Sequence, residues 1–262
     1  MQHPLRQARP ADPFLRLRME DADIGAFAID GDHVALLRAG RKSGEVWVAA
    51  LGDDPARILR LIDAMRSHGF DGVTVHDHVF ALLPVDIRGP DPGHWSLWEL
   101  AGDAALVESA LACANPADSH HATAHSATVG VRLEPDDPRI DQLLEHSSSA
   151  YIRAGDPHVE EWRGVVDDHA LIAIGARVAA AHGRAHLVSI CTDPAHRGRG
   201  LGRAVTASLA GEALAAGATG VWLEMYADNA AAAQAYRAVG FEEVGRYRSA
   251  LCAGSLPFAA EA

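Results

Sequence analysis

The stretch from Thr192 to Arg203 constrains the fold more than any other, because it puts a glycine-rich loop between an apolar run and an alanine-rich segment. Glycines at every second position, Gly198, Gly200 and Gly202, let the backbone curl and expose consecutive N–H groups. A helix beginning after the loop would add the positive end of its dipole. The stretch therefore predicts a strand, a tight loop and a helix start that together bind a diphosphate.

Composition excludes several classes of protein. The 262 residues suffice for one large domain or two ordinary ones, and 48% hydrophobic residues can build real cores. A net charge of −12 argues against nucleic acid as a main partner, since phosphate contacts need a clustered basic face. The cysteines Cys113, Cys191 and Cys252 lack CxxC spacing, so neither a disulfide framework nor a zinc ribbon is expected.

The sequence also argues against a membrane protein. No run approaches the roughly 20 apolar residues that a membrane span needs. The polar, proline-bearing start lacks the charged and apolar regions of a targeting segment. We therefore expect a cytoplasmic location and no membrane partner.

We expect a loose start through Asp12. The first half then alternates short apolar runs with turn residues, which predicts a strand meander at 24–29, 34–37 and 46–51. Asp54 and Pro55 then begin a helix, because the apolar residues that follow recur at helical spacing up to Gly69. The further elements predicted in this half are strands at 73–83 and 94–100 and a helix at about 103–113.

Residues 114–127 are small and polar without periodicity, so we predict a linker between a domain at 1–113 and another at 128–252, with a tail at 253–262. Two histidine groups are candidate metal ligands: His76 and His78 on a predicted strand, and His120, His121 and His125 in the linker. We favour solvated histidines in both places and predict no metal site, because no further ligand with motif spacing is visible.

The second half opens with a strand at 128–133 and a helix from Pro138 to about Ala150, capped by Asp136 or Asp137. The remaining predicted elements are strands at 170–174, 178–182 and 186–192, a helix from the loop to Gly217, a strand at 221–226, a helix after Asn229 and a last strand to about Cys252. The weakly periodic stretch 151–167, with Asp156, Glu160 and Glu161, either lines a ligand mouth or forms a solvated helical connection.

The loop alone does not identify its ligand, because such loops serve dinucleotides, nucleoside triphosphates and coenzyme A (CoA) alike. Its pattern Arg197-x-x-Gly200-x-Gly202, followed by the block Asn229…Tyr236…Gly240-Phe241, resembles the acetyl-CoA-dependent GNAT (GCN5-related) N-acetyltransferase superfamily. The resemblance covers roughly residues 128–250. The stretches 186–192 and 225–229 further resemble the branch that includes glycine N-acyltransferase-like proteins.

This resemblance implies a mixed α+β fold with tandem GNAT-like domains, each a mostly antiparallel central sheet flanked by helices. Only the second domain carries the acetyl-CoA signature. The corresponding place in the first half has the sequence Leu51-Gly52-Asp53-Asp54-Pro55, and two acidic residues at a helix start would compete with a bound diphosphate. We therefore predict a degenerate, non-catalytic first domain that helps shape the acceptor pocket.

The resemblance also implies acetyl-CoA as a cosubstrate, with its diphosphate on the loop and its pantetheine arm paired with strand backbone. The residues expected to bind it are Ile190, Cys191, Thr192, Arg197, Gly198, Arg199, Gly200, Leu201, Gly202, Arg203, Asn229, Ala232 and Tyr236.

For catalysis we expect the amine to attack the thioester directly, with Tyr236 protonating the leaving thiolate; packing against the sheet is the alternative role for this tyrosine. Glu224, His186 or a water held by Ser189 could accept the amine proton. A covalent route through Cys191 is disfavoured, because nothing beside it plainly supplies a thiolate-stabilising base.

The function expected is transfer of an acetyl group to a primary amine of a small molecule, an amino acid or a peptide. The acidic side chains of stretch 151–167 mildly favour a cationic acceptor. The alternative is a non-catalytic CoA-binding or scaffolding protein with a decayed acceptor site. The sequence leaves the acceptor and the oligomeric state open, a homodimer included.

Overall fold

The computed structural model describes residues 2–40, 44–90, 92–102 and 127–252. They form two compact units. The N-terminal unit contains the described residues up to Leu97 together with 226–228 and 244–252, and the C-terminal unit contains 98–102, 127–225 and 229–243. The predicted linker, apart from Ala127, the predicted helix at 103–113 and the tail lie outside the described residues, and the domain boundaries stay predictions.

The described residues form strands and helices in both units. The strands are β1 (Phe27–Asp30), β2 (His33–Ala39), β3 (Val46–Leu51), β4 (Gly72–His76), β5 (Gly93–Ala101), β6 (Thr128–Leu133), β7 (Val159–Asp167), β8 (Ala170–Ala180), β9 (Arg184–Thr192), β10 (Gly220–Tyr226) and β11 (Glu242–Leu251). The helices are α1 (Pro4–Ala8), α2 (Pro55–Met65), α3 (Asp77–Phe80), α4 (Val85–Arg88), α5 (Pro138–Leu144), α6 (Leu201–Ala215) and α7 (Ala230–Arg237). The predicted mixed fold, mostly antiparallel sheet flanked by helices, is confirmed.

The N-terminal unit has the strand order β1-β2-β3-β4-β11. Its first three strands form the predicted antiparallel meander. Helix α2 then returns the chain so that β4 pairs parallel with β3, and the pairing runs from Trp47↔Gly72 to Ala50↔Val75. Strand β11 covers the other side of β4 in antiparallel register. Most of this sheet comes from the first hundred residues, but one strand comes from the end of the described chain.

Helix α2 forms where the sequence predicts it. Asp54 caps it, because its Oδ1 accepts hydrogen bonds from the backbone N–H groups of Ala56 (2.9 Å) and Arg57 (3.3 Å). Pro55 occupies the first helical position, where its missing N–H costs nothing. The buried face consists of the residues at the predicted spacing, Ile58, Leu61, Ile62 and Met65.

The C-terminal unit has the strand order β10-β9-β8-β7-β6. Strands β6 to β9 form an antiparallel meander. Helix α6 connects β9 to β10, which pairs parallel with β9. Val205, Leu209 and Ala213 recur every four residues along α6 and are fully buried. Both units therefore contain an antiparallel meander followed by a helix and a parallel strand.

Two predicted strand patterns differ from the structure. The strand predicted at 73–83 ends at His76, and the apolar Val79 and Phe80 are buried from helix α3 instead. The two strands predicted at 170–174 and 178–182 are one strand, β8, which continues through Gly175. A Cβ at Gly175 would lie 2.9 Å from Leu209 Cδ1, so the glycine permits close packing of α6 on the strand.

Three further predictions need correction. The helix predicted to reach Ala150 ends at Leu144. Half of the irregular stretch 151–167 is strand β7, whose alternation is obscured because both of its faces are partly buried. The start of the chain, predicted to be loose through Asp12, contains α1 with a fully buried Leu5. None of the described helices has the length and apolar character required to cross a bilayer.

Candidate functional site

The parallel pair β9 and β10 separates before either strand ends. Among the described residues the register comprises Val221↔Ala185, Trp222↔His186 and Leu223↔Leu187. Strand β9 nevertheless continues to Thr192 and β10 to Tyr226. On its other side β9 stays paired with β8 up to Ala173↔Thr192. The backbone of residues 188–192 therefore has one edge held by the sheet and one edge that an extended ligand can pair with.

A β-bulge lies in β9, close to the point where its pairing with β10 ends. Ser189 has a φ of 51°, and the register between β8 and β9 shifts between Ile174 and Ala176. The Ser189 Oγ donates a hydrogen bond to the carbonyl oxygen of Ile152 at 2.9 Å. A bulge bends its strand and increases the local twist. The sequence did not reveal it, because a serine inside an apolar run carries no bulge signal.

The loop after β9 is folded by its own side chains. Asp193 Oδ1 accepts a hydrogen bond from the N–H of Ala195 at 2.8 Å, and Arg197 Nε donates to the carbonyl of Thr192 at 3.2 Å. Gly198 and Gly200 have φ values of 78° and 76°, in the left-handed region that L side chains disfavour. These two positions require glycine for the turn itself.

Helix α6 begins without a side-chain cap, because its N-cap residue is Gly200. A helix start leaves the first backbone N–H groups without intrahelical partners, and they carry the positive end of the dipole. Arg197 and Arg199 are exposed beside this helix start. The Nε of Arg203 is buried and has no hydrogen-bond partner among the described residues. Backbone and side chains together thus suit a diphosphate.

The predicted strand residues lie at the open edge. Ile190 is partly buried and packs against the core that includes α6, while Thr192 ends the strand at the loop. Cys191 is buried, and its Sγ donates to the carbonyl of Leu143 at 3.5 Å. Burial raises the pKa of the Cys191 thiol, so it stays protonated at neutral pH. This environment agrees with the prediction that the thiol is not a nucleophile.

Tyr236 lies on helix α7, which Asn229 caps by accepting a hydrogen bond from the N–H of Ala232 at 3.1 Å. The phenol ring is buried against Trp98 and Phe241, with ring centroids 6.3 Å and 6.1 Å away. Burial raises the pKa of Tyr236 above its ordinary value of 10.0. The hydroxyl is therefore protonated at neutral pH and can act as a proton donor, as its predicted role requires.

The two candidate bases occupy different parts of the β9–β10 pair. His186 is buried in the paired part, and its ring stacks on Trp222 with centroids 3.6 Å apart. Glu224 is half-buried and follows Leu223, the last paired residue of β10, so it stands where the strands separate. Glu224 thus lies directly after the last β9–β10 pair, where the strands separate, and His186 lies one pair before the separation. Their catalytic roles stay predictions.

The acidic residues of stretch 151–167 mostly have local partners. Asp156 accepts a hydrogen bond from the N–H of His158 at 2.9 Å. The buried Glu161 accepts from Arg163 Nε at 2.7 Å and lies 3.3 Å from Arg177. A pocket of about 440 Å³ at the β6–β7 edge is lined by Arg132, Leu133, Glu134, Pro135, Val159, Glu160, Glu161 and Trp162. None of the predicted cofactor residues lines it.

A sheet that opens beside an uncapped helix start is the arrangement that the two sequence motifs implied for the C-terminal unit. Residues 127–241 match the family described as Acetyltransferase (GNAT) family. The resemblance carried by the two motifs is therefore confirmed. The finer placement in the glycine N-acyltransferase-like branch stays a prediction.

Solved structures share the fold over most of the chain. A GCN5-related N-acetyltransferase from Kribbella flavida is 17% identical, with a TM-score of 0.54 over 87% of this chain and 90% of that one. A conserved protein of unknown function from Staphylococcus epidermidis is 10% identical, with a TM-score of 0.52 over 90% of this chain and 98% of that one. At these identities the likeness concerns the fold alone.

One curated relative shares a short segment. An uncharacterised protein of Mycobacterium leprae is 48% identical over 58 residues, which are 22% of this chain and 15% of that protein. The match therefore spans a small part of the relative's length and bears on neither protein's substrate.

Proposed function

We propose that this protein is an acetyl-CoA-dependent N-acetyltransferase acting on a primary amine of a small molecule, an amino acid or a peptide. The observation that carries the proposal is the early end of the β9–β10 pairing directly beside the uncapped start of α6. Together they offer an extended backbone edge and an anion site, the two features that a pantetheine arm and a diphosphate require.

The cosubstrate would bind through the amide groups of its pantetheine arm and through its negatively charged diphosphate. The diphosphate would accept hydrogen bonds from N–H groups between Arg199 and Arg203, with nearby guanidinium groups adding charge-assisted contacts. The amide groups of the pantetheine would pair with the free edge of β9 at Ile190, Cys191 and Thr192. The thioester would then lie near the point where β9 and β10 separate.

The chemistry would need little beyond positioning and two proton transfers. The amine nitrogen attacks the thioester carbonyl, the C–N bond forms and the C–S bond breaks, and CoA leaves as the thiolate. Tyr236 gives its proton to that sulfur. We favour Glu224 over His186 as the acceptor of the amine proton, because Glu224 is half-buried beyond the last pair while His186 is stacked on Trp222. A water near Ser189 stays an alternative.

A non-catalytic CoA-binding or scaffolding protein is the competing function. Nothing in the cofactor-binding features distinguishes the two, since both functions need the same loop and gap. Release of free CoA thiol from acetyl-CoA, measured across a panel of cationic and neutral amines, distinguishes them. Turnover with at least one amine supports the enzyme, and tight CoA binding without turnover on any amine supports the scaffold.

The same assay tests the residue roles. Tyr236→Phe is expected to lower kcat roughly 100-fold or more without changing the affinity for CoA, and Glu224→Gln is expected to lower kcat as well. Tyr247→Phe is a matched control, because Tyr247 is also a buried tyrosine but belongs to the N-terminal unit. An unchanged rate in Tyr236→Phe would refute the acid assignment.

A further inference from the structure

The N-terminal unit has a counterpart of the phosphate loop, the turn between β3 and α2. Asp54 already occupies the N–H groups of Ala56 and Arg57 at the start of this helix. The parallel pairing with β4 reaches Ala50↔Val75, one residue short of both strand ends. This turn therefore offers a diphosphate neither free helix N–H groups of the first turn nor an open strand edge.

The same turn instead gathers side chains that bind cations. Asp53 follows β3, His76 ends β4 and His78 lies in α3, and one donor atom from each lies within 4.8 Å of the others. The Nε2 of His78 is 3.3 Å from Asp53 Oδ1, and the Nδ1 of His76 is 3.9 Å from the same oxygen. The two imidazole rings are nearly parallel, with centroids 5.7 Å apart.

We propose that Asp53, His76 and His78 bind a divalent first-row transition-metal ion such as Zn²⁺. Two imidazoles and a carboxylate are a ligand set that these ions favour. Tetrahedral geometry with metal–ligand bonds of roughly 2.0–2.1 Å requires ligand atoms about 3.4 Å apart. Of the three pairwise distances, the one from Asp53 to His78 already meets this value. The exposed side chains of Asp53 and His78 can rotate to shorten the distance from Asp53 to His76 and the separation of the two imidazole nitrogens, which is at most 4.8 Å.

A buried carboxylate lies behind one of these ligands. The Nε2 of His76 is 3.9 Å from Oδ2 of Asp12, a carboxylate with a side-chain exposure of 1%. Asp12 is itself fixed by Arg9, 3.0 Å away, and by the N–H of Phe14. In the structure Nδ1 of His76 lies 3.1 Å from the carbonyl oxygen of Gly52, and a bound metal ion would replace this contact. The proton of His76 would then be on Nε2, the nitrogen on the side of Asp12. If metal binding draws Nε2 within hydrogen-bond distance of Asp12, this carboxylate would raise the basicity of His76 and fix its tautomer.

The surroundings allow an ion to reach the site. The side chains of Asp53 and His78 are 72% and 59% exposed, so the donors open directly to solvent. Three protein ligands leave a fourth tetrahedral position for water. The pair His76 and His78 alone did not predict a metal site, because the third ligand comes from a distant turn that only the β3–β4 pairing brings close.

The test is calorimetric titration of the full chain with Zn²⁺ alone. The chain also contains His120, His121 and His125, so the titration uses a background in which all three are replaced by alanine. One Zn²⁺ is expected to bind per chain, and Asp53→Asn and His78→Ala are each expected to weaken binding at least roughly tenfold. Both positions are exposed, and urea unfolding of each variant verifies that the fold is kept.

His158→Ala is the matched control, because His158 is an exposed histidine paired with a carboxylate, Asp156, at 3.0 Å. Zn²⁺ affinity in this variant should equal that of the background. Absence of Zn²⁺ binding with a Kd below about 1 mM would overturn the proposal. So would a Zn²⁺ affinity that neither Asp53→Asn nor His78→Ala alters. Neither result bears on the acetyltransferase function, whose assay is separate.

Discussion

Gly202 should respond to alanine differently from Gly198 and Gly200, which share a left-handed backbone, and it gives the sharpest prediction. Gly202 lies in the first turn of α6, and an added Cβ would meet Thr192 Oγ1 at 3.5 Å, an ordinary van der Waals contact. Alanine is favoured over glycine in a helix by about 0.5–1 kcal/mol. Gly202→Ala should therefore keep or raise the free energy of unfolding.

The same substitution should weaken CoA binding. The new methyl would point towards Thr192, between the strand edge proposed for the pantetheine and the N–H groups proposed for the diphosphate. Loss of one charge-assisted hydrogen bond costs about 1.5–3 kcal/mol, which corresponds to a roughly 10- to 150-fold higher Kd for CoA. Urea denaturation measures the stability, and calorimetric titration with CoA measures the affinity.

Two further glycines provide the comparison. Gly200→Ala places a side chain at a φ of 76° and should lower the free energy of unfolding by about 1–2 kcal/mol. Gly155→Ala is the matched control, because Gly155 has the same φ of 76°, with nothing within 4 Å of its added Cβ, and lies outside the loop. It should lose similar stability but keep its affinity for CoA. If Gly202→Ala bound CoA with wild-type affinity, the proposal that the cosubstrate lies close to Gly202 would be refuted.

Two other predictions concern stability. Gly175→Ala would place a Cβ 2.9 Å from Leu209 Cδ1 and 3.0 Å from Val205 Cγ1. Urea denaturation should therefore show a free energy of unfolding lower by about 1–3 kcal/mol. An unchanged free energy of unfolding would mean that α6 can shift without cost. The guanidinium of Arg139, 2.6 Å from Asp137, holds the pKa of that carboxyl below its ordinary value of 3.8. The contribution of the ionised Asp137 to the free energy of unfolding is therefore fully present above pH 3.8 and is lost as the pH falls through the lowered pKa. In Asp137→Asn, which lacks this contribution, the free energy of unfolding should fall less on acidification than in the wild type.

Local signals explain what the sequence predicts well. The cap and spacing of α2, the start of α6 at Leu201 and the cap of α7 at Asn229 each depend on residues within a turn or two of one another. The conformation of the glycine loop also depends on residues close together in the sequence. Its φ values at Gly198 and Gly200 follow from residues that tolerate a left-handed backbone.

Features that depend on strand pairing could not be predicted in this way. The gap in the candidate site exists because pairing ends at Leu187↔Leu223, and no residue type marks that point. The bulge at Ser189 depends on the neighbouring strand β8. The approach of Asp53 to His76 depends on the parallel register of β3 and β4. In each case the decisive contacts join residues far apart in the chain.

The place of β11 has a consequence for biosynthesis. This strand pairs with β4, and Arg248 donates a hydrogen bond to Asp77 across 171 residues of sequence. At roughly 5–20 residues per second, a ribosome needs about ten to thirty seconds to make the intervening chain. During that time β4 presents an unpaired edge, which is a template for association with other chains. The nascent N-terminal unit would then depend on a chaperone to avoid aggregation until β11 emerges.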